Sequence, residues 1–96
     1  MDERNELVLL YDYYKELLTD SQKEYFEKYY FDNFSLAEIS ENLNVSRNAV
    51  HKQLKVIEEK LNSYEEKLKL IEKHNKVLSE ITDEKLKEKI TDILES

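Results

Sequence analysis

The stretch that decides the fold is Leu36-Ala37-Glu38-Ile39-Ser40-Glu41-Asn42-Leu43-Asn44-Val45-Ser46-Arg47-Asn48-Ala49-Val50. Its slots are those of a helix-turn-helix. Leu36, Ile39, Leu43, Val45 and Val50 are spaced to point inward and hold two helices near a right angle. Ser40 and Ala49 are small where the two helices must cross closely. Asn44 falls at the turn, which needs a left-handed backbone, and Asn tolerates that conformation better than other residues with a Cβ. Ser46 is the expected N-cap of the second helix. The side chains left facing outward are Arg47, Asn48, His51, Lys52 and Lys55. These types clamp phosphates or read base edges in a DNA major groove. Ser46 and Arg47 sit at the helix N-terminus, where phosphates are favoured. Ser46, Arg47, Asn48, His51, Lys52 and Lys55 are therefore the expected DNA contacts.

Upstream, the spacing predicts two more helices. Leu7, Leu10, Tyr11, Tyr14, Leu17 and Leu18 recur at steps of three and four, which is one face of a helix over about residues 4–17. Thr19 and Gln22 form a capping box that opens a second helix, about 20–31, with Tyr25, Phe26, Tyr29 and Tyr30 on one side. Asn33 falls where that helix would stop, and Ser35 with Glu38 forms the capping box of the third. Nine of the ten aromatic residues lie between Tyr11 and Phe34, consistent with an aromatic core between the first two helices. Tyr13 falls off the apolar face and is the tyrosine placed to stack on a base or dock a partner.

Downstream, Val50, Leu54, Ile57, Leu61, Tyr64, Leu68, Ile71, Asn75 and Leu78 step 4-3-4-3 without a break, a heptad repeat. The reading is one long helix over 47–79; a break at Asn62-Ser63 is the alternative, because Ser63 and Glu66 also make a capping-box pattern. Thr82 would cap a last short helix, 83–94. The heptad predicts a parallel homodimer with Leu54, Ile57, Leu61, Tyr64, Leu68 and Ile71 in the interface. Lys60 would meet Glu65 of the second chain, and Lys67 would meet Glu72. Val56, Leu70 and Val77 widen the stripe, which equally suits packing against the chain's own helices. The expected organisation is a helix-turn-helix domain over 1–62 and a helical extension, a dimerisation segment, over 63–96.

Composition narrows the function. The 96 residues include no Gly, Pro, Cys or Trp, and 39% are charged. Without Gly there is no phosphate-binding glycine loop, and without Cys no disulfide or thiolate metal site. Tight hairpins need residues at positive φ, so an all-β fold is disfavoured and an all-α fold expected. Apolar runs are too short to span a membrane, and Met1-Asp2-Glu3-Arg4 lacks an apolar signal core; a soluble cytoplasmic protein is expected. The net charge of −7 at first opposes nucleic-acid binding. It is unevenly spread: residues 1–45 carry −7, residues 46–61 carry +2 and residues 62–96 carry −2. The only net-basic segment is the reading helix. No catalytic constellation is present, and His51 has Lys55 rather than a ligand four residues on, so no enzyme activity, metal or cofactor is expected.

Two resemblances follow from these residues. Leu18-Thr19, Gln22-Lys23, Tyr29-Tyr30 and the segment from Ser35-Leu36 onward look like the region-four domain of bacterial sigma factors. More closely, Leu10-Tyr11-Asp12-Tyr13-Tyr14, Leu17-Leu18-Thr19, Tyr29-Tyr30, Asp32-Asn33-Phe34-Ser35-Leu36-Ala37-Glu38-Ile39, Val45-Ser46-Arg47-Asn48-Ala49-Val50 and Tyr64-Glu65-Glu66-Lys67-Leu68 resemble the YlxM family, over about residues 7–72. The resemblance implies a small all-helical DNA-binding protein. That family is encoded beside signal recognition particle genes, which implies a regulatory role in that pathway and the particle's protein or RNA as a partner. Ser40 stands where Ala is commoner in the motif, and Asn44 where Gly often stands.

Overall fold

The computed structural model describes residues 3–81 and 84–95. Among these the chain is all-α, with α1 (Glu3–Tyr14), α2 (Asp20–Tyr30), α3 (Leu36–Leu43), α4 (Arg47–Leu68), α5 (Leu70–Ser79) and α6 (Glu84–Glu95). A single 3-10 turn, Lys15–Leu17, tightens the end of α1 and leaves Leu17 exposed.

The helix starts follow the sequence closely. Thr19 accepts from the Gln22 N–H at 3.1 Å, and the Gln22 side chain accepts from the Thr19 N–H at 3.0 Å. Ser35 and Glu38 make the same reciprocal pair. Each box satisfies backbone donors that a helix start leaves without partners. At the far end of α2, Asn33 takes a left-handed φ of 57°. Arg4 reaches across from α1 and donates to the Tyr30 carbonyl at 2.7 Å and to Asn33 Oδ1 at 3.1 Å. A cation is thereby placed on the negative end of the α2 dipole.

The core is one cluster. Leu7, Leu10, Tyr11 and Tyr14 from α1, Tyr25 and Phe26 from α2, and Ile39 from α3 close around Val50, Leu54, Ile57 and Leu61 of α4. Tyr11, Phe26 and Tyr30 stack, with ring centroids 4.2 and 4.4 Å apart. Tyr hydroxyls must find acceptors when their rings are buried. Tyr11 donates to Glu27 at 2.6 Å, Tyr30 donates to Glu58 at 2.8 Å, and Tyr14 donates to Glu65. Burial first, and then these carboxylates, hold the Tyr11 and Tyr30 hydroxyls well above the usual phenol range and push Tyr14 up to about 12.

Three expectations are corrected. The helix that starts at Arg47 does not run on to Ser79, and it does not break at Asn62-Ser63. Asn62 sits inside α4 and donates its side-chain amide to the Glu58 carbonyl at 2.9 Å. The break is at Lys69, which adopts φ 53° and ψ 36° between α4 and α5. Second, Leu54, Ile57 and Leu61 do not line a seam between chains, because they are buried against this chain's own α1, α2 and α3. Tyr64 and Ile71 are half-buried against that same core, and of the six seam residues only Leu68 is exposed. Third, Tyr13 is not a free stacking platform: it is half-buried, and its hydroxyl meets His74 Nδ1. Thr82 lies outside the described residues.

Candidate nucleic-acid interface

The turn between α3 and α4 is built from three short contacts. Asn44 caps α3 in the left-handed conformation, φ 56° and ψ 48°, as its place in the sequence requires. The Val45 N–H donates to the Ser40 carbonyl at 3.1 Å, and the Ser40 hydroxyl donates to the Val45 carbonyl at 2.5 Å. Ser46, in extended conformation, then accepts from the Ala49 N–H at 3.1 Å and starts α4. Ile39 and Val50 are completely buried where the two helices meet, and Leu36, Leu43 and Val45 are half-buried around them.

That packing fixes which face of α4 is left over. The stripe Val50, Leu54, Ile57, Leu61 turns inward, so the opposite face of the first turns is open. Ser46, Arg47, Asn48, His51, Lys52 and Lys55 are all exposed. The structure brings together on one surface the six residues singled out from the sequence. Electrostatics distinguish this helix start from the others. Among the described residues, α1, α2, α3, α5 and α6 each carry Asp or Glu in the first turn, and α4 carries none. Carboxylates in a first turn offset the positive end of the helix dipole. At α4 that end is left uncompensated, with Arg47 beside it and Lys52 and Lys55 on the next turns. Such a surface favours a phosphate over a cation.

Lys60, on the same helix but further along, is not part of this surface. It is half-buried, and its ammonium lies 3.4 Å from Gln22 Oε1. Sequence reasoning missed the residues that shape the other end of α4. Tyr14 accepts a hydrogen bond from the Leu70 N–H at 3.1 Å, and Glu65 accepts from the Ile71 N–H at 3.2 Å. Tyr14 was legible as a core residue, but nothing in its spacing marks it as a cap for a helix 56 residues away. No helix among the described residues is long and apolar enough to cross a membrane.

Comparison with known proteins agrees with this architecture. Residues 1–95 match the family described as "Putative helix-turn-helix protein, YlxM / p13 like". A UPF0122 protein of Caldanaerobacter subterraneus subsp. tengcongensis is 51% identical over 82 residues, which is 85% of this chain and 68% of that protein. One from Thermoanaerobacter sp. strain X514 is 47% identical over 78% of this chain, and the match spans 64% of its own length. One from Listeria welshimeri is 42% identical over 95% of this chain and 86% of its length. With the helix-turn-helix in place and the match running almost from end to end, the chain belongs to the UPF0122 family of YlxM/p13-like helix-turn-helix proteins.

Proposed function

We propose that this protein binds DNA, with the N-terminal half of α4 in the major groove. The observation that carries the reading is the exposed cluster Arg47, Asn48, His51, Lys52, Lys55 at the one described helix start without a carboxylate. Arg47, Lys52 and Lys55 contact phosphates, and Asn48 and His51 reach base edges. Residues 1–62 form the reading unit, and residues 63–96 are the segment through which two copies pair. Pairing matters because the chain is acidic overall and one copy makes few phosphate contacts. Two tethered reading helices raise the effective concentration of the second contact. The likeness in sequence to sigma region four suits a cytoplasmic transcription regulator.

The test is binding of the intact chain to genomic fragments across a salt series. Three phosphate contacts per copy give a log–log slope of about −2.7 per half-site. Absence of binding even at low salt, under conditions where the protein is paired, removes the reading.

A second reading has its own support. Residues 1–45 carry a net charge of −7, a surface suited to a basic protein. In this alternative the helix-turn-helix is a docking module for a signal recognition particle component. Pull-down of the particle's protein with and without nuclease separates the two. Recovery that survives nuclease favours docking, and recovery lost with nuclease returns the argument to nucleic acid.

A further inference from the structure

The joint between α4 and α5 is a single residue. Lys69 sits in the left-handed region at φ 53°, the conformation that Asn33 and Asn44 adopt elsewhere in the chain. Asn suits that conformation, and Lys does not. The joint is held open by two side chains. The Tyr14 hydroxyl accepts from the Leu70 N–H and donates to Glu65, while Glu65 Oε1 accepts from the Ile71 N–H. In an unbroken helix those N–H groups would bond to the carbonyls of Glu66 and Lys67. The kink therefore replaces backbone acceptors with a tyrosine and a glutamate.

The sequence around the joint is written for a continuous helix. No Gly or Pro interrupts it, and the 4-3 spacing passes through Lys69 unbroken as Tyr64, Leu68, Ile71, Asn75 and Leu78. The seat that α5 takes on α1 is poorly filled. His74 is 9% exposed, and its Nδ1 meets the Tyr13 hydroxyl, but its buried Nε2 has no hydrogen-bond partner. Beside it a cavity of about 640 Å³ opens between α1, α5 and α6, lined in part by Leu9, Leu70, Val77 and Leu94. The molecule is elongated, 52 × 25 × 24 Å, with a radius of gyration of 16.2 Å against about 12.5 Å for a compact chain of this length.

We propose that Lys69 is a hinge and that two copies of this chain exchange their arms, α5 and α6, across it. When Lys69 turns right-handed, α4 and α5 become one helix over 47–79, about 50 Å long. The arm leaves its own α1 and seats on α1 of the second copy. Every contact that α5 makes with α1 is remade between chains, so the exchange gives up none of the contacts in that seat. Two strained lysines relax, and each chain regains the backbone bonds that Tyr14 and Glu65 had replaced. A short joint under strain is the setting in which arm exchange forms dimers. The proposal rests on the pairing of copies in the preceding reading, but not on DNA.

The experiment uses the full chain and two changes at an exposed residue. Lys69→Gly accepts the left-handed backbone freely and favours the closed monomer. Lys69→Val rejects it and favours the straight helix. Each hinge contributes about fivefold, so the dimer dissociation constant of Lys69→Gly rises about 25-fold over the native chain. That of Lys69→Val falls. Sedimentation measures all three, and circular dichroism checks that each remains folded. The exchange itself is read by crosslinking, since the chain has no cysteine of its own. Asp12→Cys and Lys73→Cys place thiols at two exposed positions around the same cavity. Mixed single variants joined between chains by a short bis-maleimide support the exchange. Equal dissociation constants across the Lys69 series overturn it, as does a Lys69→Val protein that stays monomeric at hundreds of micromolar. Dimers of the double variant that crosslink only within each chain overturn it too. Loss of DNA binding alone leaves all three readouts unchanged, so failure of the DNA reading and failure of the exchange are distinguishable.

Discussion

The Ser40 hydroxyl donates to the Val45 carbonyl at 2.5 Å, across the turn whose corner is Asn44. This contact gives Ser40 a reason to stand where the motif more often has Ala. The Val45 carbonyl lies between two helices, where neither ladder satisfies it, and the hydroxyl supplies the missing donor. Ser40→Ala is expected to lower the unfolding free energy by about 1 kcal/mol. Asn44→Ala is expected to cost about 1–2 kcal/mol, because Ala at φ 56° carries the steric penalty without a side chain that bonds locally. Asn44→Gly should change stability less than Asn44→Ala. Urea titrations read all three as shifts in midpoint at constant slope.

The reading face predicts a split between phosphate and base contacts. Lys55→Ala removes an exposed cation and should weaken binding to all DNA sequences alike, reducing the salt slope by about 1. Asn48→Ala should leave the slope in place and instead relax preference at one base position, by about 1–3 kcal/mol. Fluorescence anisotropy across a salt series and a panel of fragments separates the two. A Lys55→Ala protein that changes base preference while keeping its slope contradicts the assignment.

Leu61 and Leu68 sit seven residues apart on the same apolar stripe, yet one is fully buried and the other is 43% exposed. Leu61→Ala is expected to cost about 2–5 kcal/mol through the cavity it leaves among α1, α2 and α4. Leu61→Lys should unfold the domain, whereas Leu68→Lys should leave it folded with little change in Tm. Thermal melts of the two lysine variants check this directly. Similar losses at both sites would mean that Leu68 is buried in solution.

That pair also shows where sequence reasoning stops. Capping boxes and the Asn44 corner were legible because each depends on residues within four positions of one another. The outward face of α4 was legible because the inward stripe has one helical period. The same period could not tell which apolar surface would cover the stripe. A heptad seam and an intramolecular groove ask for the same residues at the same spacing, and here α1 and α2 supply the cover. The break at Lys69 was illegible for a related reason. Its cause is Tyr14, far away in sequence, offering a hydroxyl to the Leu70 N–H. The Tyr13–His74 contact likewise joins residues 61 positions apart.

Four tyrosines at or near the core, Tyr11, Tyr13, Tyr14 and Tyr30, make the fold sensitive to alkali. Burial first, then a hydrogen bond to a glutamate, pushes Tyr14 up to about 12 and holds Tyr11 and Tyr30 higher still. Tyr13 is raised as well, mainly by burial. In the unfolded chain each ionises near its ordinary value of about 10. The unfolded state therefore releases these protons first as pH rises, and alkali favours unfolding. The stability they contribute is fully present below about pH 10 and is lost as pH climbs through the folded values. At Tyr14 the loss is also structural. An ionised oxygen beside the Glu65 carboxylate cannot donate to it, so the pair that caps α5 comes apart. Tyrosinate absorbance and far-ultraviolet circular dichroism, followed together against pH, test this. The expected result is late ionisation of these tyrosines, above pH 10 and concurrent with loss of helix. Tyr14→Phe should remove one late-titrating group and lower stability at neutral pH by about 1–3 kcal/mol, because the Leu70 N–H and Glu65 both lose a partner. Ionisation of all four near pH 10 with the helical signal intact would contradict the arrangement.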